Sequence, residues 1–155
     1  MWPKSLVLTA LLAAASGAPA EAQDGRQWIA ATSSDSVRLL YGTPNSGDVA
    51  LNFTCDRAKK SIKFSYAFEP AGAKSGMRID VELSSEGGKV VLSATGRRLD
   101  MDDLFVLEAT TRVDAALRGT LAEGRTLSIR VQTHVEAFPL ADVAKQAAGL
   151  IAACS

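Results

Sequence analysis

One histidine, two cysteines and no excess of charge of either sign set the limits on what this 155-residue chain can do. Its 17 basic and 17 acidic side chains cancel, which removes support for nucleic-acid binding and for adsorption to anionic membranes, since both usually need a basic excess. Serine and cysteine hydrolases commonly rely on a histidine base held by a third group. His134, the lone histidine, has no Gly-x-Ser-x-Gly elbow to serve, and it follows the strand phase of Ser128, Arg130 and Gln132, which places it at an exposed strand end. It also lacks a cysteine or histidine partner at zinc-ligand spacing. There is no glycine-rich loop between a strand and a helix to cradle phosphate. Neither a cofactor nor a metal is expected. Repeats and low-complexity stretches are absent too.

Long apolar runs are scarce. The one that stands out, Leu6 to Ala15, follows Lys4 and precedes Ala20-Glu21-Ala22. This is the layout of a secretory signal peptide over residues 1–22, and the run is too short for the ~20 residues that span a bilayer. The expectation is export to the periplasm or medium without stable membrane insertion, and a single domain over residues 23–155. In an oxidising compartment two cysteines can pair.

Most of the domain reads as β-structure. From Trp28 to Thr133, apolar and polar residues alternate in short runs broken by Gly, Asn, Asp and Pro, the signal of half-buried antiparallel strands. Val49, Leu51, Phe53 and Cys55 share one face of a strand; Ile62, Phe64, Tyr66 and Phe68 repeat the pattern after a polar Asp56 to Lys60 turn. Met77 to Leu83 and Lys89 to Thr95 flank a Glu86-Gly87-Gly88 turn. Leu104 to Thr111 and Leu127 to Thr133 supply further strands, and Arg112 to Leu121 suits a short helix. At Pro139 the period becomes 3.6. Leu140, Val143, Ala144, Ala147, Leu150, Ile151 and Cys154 then fall on one stripe of an amphipathic helix. The predicted fold is mainly β: an antiparallel β-sandwich-like domain of about seven strands with a C-terminal amphipathic α-helix. Strand phase turns Cys55 inward and helix phase turns Cys154 inward, which predicts a Cys55–Cys154 disulfide.

Several spaced features together resemble the VasI-like proteins associated with type VI secretion. They are Trp28, the strand Leu51 to Cys55, Met77-Arg78-Ile79-Asp80, Leu127 to Val131, and Phe138-Pro139-Leu140 opening a helix that closes on Cys154. A weaker similarity is to envelope proteins of the invasion-associated locus B type, which pair a β-rich body with a late helix. Both resemblances imply a compact periplasmic accessory protein without established catalysis.

The strongest candidate for a contact surface is the loop Tyr41, Gly42, Thr43, Pro44, Asn45, Ser46, Gly47, Asp48, with Trp28 either joining it or sealing one end of the core. It sets an aromatic beside turn-forming residues, and loops on rigid scaffolds often carry recognition. Asp100, Asp102 and Asp103 lack the glycine and distal glutamate of an EF-hand and read as a polar turn, with Arg97 and Arg98 as counter-charges. The expected function is an exported periplasmic accessory or binding module whose partner is another envelope protein or a cell-wall component. Two alternatives come from other classes. One is a small envelope hydrolase drawing carboxylates from Asp80, Glu82 and Glu108. The other is a carrier of a small apolar ligand held between sheet and helix.

Overall fold

The period-2 alternation becomes one nine-stranded, wholly antiparallel sheet. The structure, a computed structural model, describes residues 25–155; the signal peptide expected at 1–22 lies outside them. The strands are β1 (Gln27–Thr32), β2 (Ser36–Gly42), β3 (Val49–Asp56), β4 (Ser61–Ala67), β5 (Arg78–Ser85), β6 (Gly88–Leu99), β7 (Leu104–Thr111), β8 (Thr126–Val131) and β9 (His134–Pro139). Helix α1 (Ala115–Ala122) links β7 to β8, and α2 (Ala144–Cys154) ends the chain. Across the sheet the order is β1-β2-β3-β4-β7-β6-β5-β8-β9.

Cross-strand register shows why one face is dry. Leu51 pairs with Tyr66, Phe53 with Phe64 and Cys55 with Ile62; farther along, Val81 pairs with Val131 and Leu83 with Ile129. All ten side chains are fully buried. Residues directly opposite in antiparallel strands share a face, so these rows form a continuous apolar surface. Each large side chain so buried contributes about 1.5–3 kcal/mol.

That surface is covered by the sheet curling on itself. Phe138, on the edge strand β9, makes edge-on ring contacts with Tyr41 of β2 at 5.1 Å and Tyr66 of β4 at 6.3 Å, although most of the sheet order separates them. The Trp28 indole N–H on the opposite edge strand, β1, donates to the Pro139 carbonyl of β9. The two ends of the sheet therefore meet, and its halves face each other across one core, as in a β-sandwich.

The strand count is nine rather than about seven, for two local reasons. Trp28 to Gly42 folds as a hairpin whose turn is tied by Ser33 N–H to the Ser36 carbonyl at 2.8 Å. The expected strand Leu127 to Thr133 stops at Val131. Gln132 takes a left-handed conformation, with φ of 53°, and a two-residue turn sends the chain back as β9. The last helix also begins later than its stripe. Pro139 closes β9, the Leu140 N–H bonds to the Arg125 carbonyl at 2.6 Å, and α2 starts at Ala144 after a turn. Leu140, Val143, Ala147, Leu150, Ile151 and Cys154 are nevertheless all buried.

The predicted disulfide is present. Cys55 on β3 and Cys154 on the last turn of α2 are bonded, with Cα atoms 5.7 Å apart and a sequence separation of 99. Lys60 Nζ also donates to the Ser155 backbone oxygen at 2.8 Å, so the tail is fixed beside the β3–β4 turn. Helix α1 is capped by Asp114, whose carboxylate accepts from the Leu117 N–H at 2.7 Å. It approaches the β5–β6 turn so closely that a Cβ on Gly119 would stand 2.3 Å from the Gly87 carbonyl oxygen.

Two stability predictions follow from this packing. A chain-entropy estimate for so long a loop gives roughly 4–5 kcal/mol, so the Cys55→Ser, Cys154→Ser double variant should lose about 3–5 kcal/mol in urea unfolding, with α2 exchanging its amide hydrogens first. Glycine-to-alanine substitution inside a helix ordinarily gains up to about 1 kcal/mol. Gly149→Ala on α2, where an added Cβ meets nothing within 4 Å, should show that gain. Gly119→Ala on α1 should instead cost about 1–3 kcal/mol through overpacking, and paired thermal melts check the opposite signs.

Candidate functional site

The curl brings two of the sequence-predicted contact residues, Trp28 and Tyr41, to the seam between β1 and β9. Trp28 lies edge-on to Tyr41, with ring centroids 5.2 Å apart. It both seals the core there and walls a cleft of about 330 Å3 lined by Arg26, Gln27, Trp28, Tyr41 and Pro139, with α2 contributing Gln146. Tyr41 itself is only 4% exposed. Burial pushes its phenol pKa up, while Arg26 pulls it down and Glu136 raises it further. Gly42 is buried as well, and a Cβ there would meet the Asp48 carbonyl oxygen at 2.3 Å. The chain turns back on itself at this point, where the β2–β3 register shifts between Tyr41 and Gly42.

Pro44, Asn45 and Asp48 lie in the loop beyond. The Thr43 N–H bonds to the Asp48 carbonyl at 3.0 Å, Thr43 Oγ1 donates to Asp48 Oδ2 at 2.9 Å, and Ser46 Oγ donates to the Thr43 carbonyl at 2.8 Å. Asn45 takes the left-handed conformation that asparagine tolerates, with φ of 58°. Arg26 grips the Asp48 carboxylate with two bonds of 2.9 Å, and those bonds, together with the Thr43 hydroxyl, hold the Asp48 pKa below its ordinary value. The loop is thus internally braced and presents Asn45 and Asp48 to solvent. Arg26 and Asp48 also line a second cleft of about 390 Å3, with Glu136 and Asp102 among its other walls.

At the rim of the core lies a polar cluster that strand phase does not reveal. Tyr66 OH donates to Glu136 Oε2 at 2.6 Å and lies 3.2 Å from His134 Nε2. Phe68 stacks on His134 at 4.2 Å and on Tyr66 at 5.7 Å. His134 pairs with Val131, Glu136 with Ile129 and Phe138 with Leu127, so all three point with the core-facing side of β8. His134 does lie at an exposed strand end, as expected, but the turn at Gln132 resets the alternation, so it does not share the outward phase of Arg130. The signal available in the sequence is the spacing of His134, Glu136 and Phe138 at i, i+2 and i+4. Burial and the Glu136 carboxylate raise the Tyr66 pKa well above that of free tyrosine, so the phenol keeps its proton and acts as a donor.

The carboxylates considered for acid–base chemistry are not brought together. Asp80 and Glu82 lie on the outer face of β5. Glu82 contacts Lys89 at 3.1 Å and Arg130 at 3.7 Å. Glu108, on β7, lies 3.1 Å from both Arg97 and Lys63, and its pKa is lowered chiefly by the bonds from Arg97. A general acid needs the opposite shift. Asp103 pairs with Arg98 at 3.1 Å in the β6–β7 turn, as the polar-turn reading expects. No group of three or more potential metal-ligating residues occurs among the described residues, nor does any described helix have the length and apolarity to cross a membrane. Over β2 and β3, the space a lipid carrier would keep open beneath α2 is filled, with Ala147, Leu150 and Ile151 buried in one cluster with Leu39, Phe53 and Cys55.

Comparison of the chain with protein-family models, with curated proteins and with solved structures finds no match.

Tyr66→Phe tests the rim cluster. It removes the donor to a half-buried carboxylate while keeping the ring contacts, so stability in urea should fall by about 1.5–3 kcal/mol, the range for bonds to charged groups. The fold should be retained by circular dichroism.

Proposed function

We propose that the protein is an exported accessory module of the bacterial envelope that binds another envelope protein through the seam where β1, β9 and α2 converge. The observation that carries this reading is the cleft at that seam. Aromatic walls from Trp28 and Tyr41 stand beside the charged, braced loop that ends at Asp48. Rigid aromatic surface next to a few fixed polar groups is the usual composition of a recognition site. The Cys55–Cys154 bond suits a chain that works where disulfides persist, and the signal-like leader and the VasI-like resemblance point to the same compartment. On the outer face, charges are neutralised laterally by ion pairs, whereas at the seam Trp28 borders a cleft that polar groups share.

Affinity capture of the oxidised protein from its own envelope fraction tests the proposal. Reproducible, stoichiometric enrichment of one envelope protein is expected, and Trp28→Ala should reduce it several-fold. Turnover of a cell-wall polymer by the purified domain, or capture that Trp28→Ala leaves unchanged, would contradict it.

A further inference from the structure

Beyond Trp28, β1 leaves the sheet with an unguarded edge. It is terminal in the strand order, and its sequence Gln-Trp-Ile-Ala-Ala-Thr contains no charge and no proline. Natural edge strands are usually blunted by lysine, proline, a bulge or a covering element. Among the described residues none of these protects the strand. Trp28, Ala30 and Thr32 pair with Tyr41, Leu39 and Val37, so they belong to the core-facing side, yet Ala30 and Thr32 are exposed.

The reason is the placement of α2. Its buried residues Ala147, Leu150, Ile151 and Cys154 pack over β2 and β3 and stop short of β1. A groove remains between β1 and the flank of α2. The Trp28 cleft forms its first part, and a second cleft of about 240 Å3 continues it through Ala30, Thr32 and Val37 against Gln146, Gly149 and Ala153. Ala30 and Gln146 line both parts. Six strand residues extend about 20 Å and eleven helical residues about 16 Å, so edge and wall are matched in length. The walls are small, and a Cβ on Gly149 would meet nothing within 4 Å. Arg57 lines the Thr32 end, and its guanidinium has no carboxylate partner among the described residues; Arg38, opposite Ala31 and Thr54, belongs to the outer face of the sheet.

We infer that this groove takes an extended peptide segment of a partner protein, added to β1 as a tenth strand, with apolar side chains seated against α2 and a carboxylate held by Arg57. A strand edge beside a helix is a recurring design for peptide capture: main-chain bonds supply affinity, and pockets for alternate side chains supply specificity. The small wall residues leave room for Leu or Val of the guest, and Arg57 at one end fixes its direction. This inference rests on the binding-module reading and names its ligand class.

The test uses the oxidised protein and a fluorescein-labelled peptide of alternating Val and Thr, with a central Leu and two Asp at its end. Saturable binding is expected, with slowed hydrogen exchange at the β1 amides. Replacing the two Asp by Lys should weaken binding about tenfold, and Arg57→Glu should cost a similar factor while restoring binding of the Lys-ended peptide. Methylating alternate backbone nitrogens of the probe should abolish binding. Gly149→Leu should also abolish it without lowering the melting temperature, since the added side chain points into the empty groove. Failure of the Asp-ended probe to bind, or binding unchanged in Gly149→Leu and Arg57→Glu, would overturn the inference. So would β1 amides already protected in a dimer of the protein alone, because the edge would then belong to a second copy. If a partner captured from the envelope binds Gly149→Leu as tightly as the parent while Trp28→Ala loses it, the groove is wrong and the accessory reading stands.

Discussion

The bond between Cys55 and Cys154 places the last helix, and most other features of the molecule depend on that placement. One sulfur sits mid-sheet on the inner face of β3, and the other ends a helix whose apolar stripe is only a few residues wide. Helix α2 has no side-chain N-cap, and an eleven-residue helix is marginal on its own in water. The disulfide and the buried Leu150 and Ile151 offset that deficit. Once the helix is pinned over β2 and β3, it covers the core there and cannot also cover β1.

Much of this was legible in the sequence because two periodicities do not interfere. Alternation oriented Cys55, a 3.6-residue stripe oriented Cys154, and both orientations are realised. The Glu86-Gly87 turn was equally clear, since its residue types state their conformational purpose. What stayed hidden lies where ordinary residues adopt special backbone. Gln132 carries positive φ without glycine to announce it, so one turn was invisible, and His134 just after it was assigned to the opposite face. A one-residue change of phase exchanges inside for outside along a whole strand. His134, still exposed, and the half-buried Glu136 therefore stand at the rim of the core on the inward-facing side of β9. Of the candidate contact residues, Trp28 walls the seam cleft, Asp48 lines the neighbouring one and Asn45 is exposed in the loop, whereas Tyr41 and Gly42 are buried beneath them. Closeness of Tyr41 to Phe138 is a property of the curl, and no local pattern encodes it.

The polar groups divide by location in a way that explains the neutral composition. On the outer face, Glu82 and Glu108 each sit between two cations. Such exposed pairs add little stability, but they leave no field to attract polyanions. At the rim, Tyr66 satisfies Glu136 with a neutral donor, so a carboxylate is accommodated near the core without a buried cation. Every buried side-chain nitrogen and oxygen among the described residues has a partner. Against this background of satisfied buried groups, Arg57 stands at one end of a groove with no acid to meet it among the described residues.

The two helices show why that groove is best understood as space kept open. Gly119 on α1 is required, because the Gly87 carbonyl occupies the position a side chain would take. Gly149 on α2 has no such neighbour, and in a helix it costs about 1 kcal/mol relative to alanine. Packing therefore explains the first glycine and leaves the second without a structural return. A larger residue at Gly149 would strengthen the helix and extend its cover toward Ala30. It would also close the channel beside the one strand whose edge carries neither charge nor proline. The stability forgone at Gly149 and the exposed backbone of β1 lie on opposite walls of the same channel, and an added strand would satisfy both.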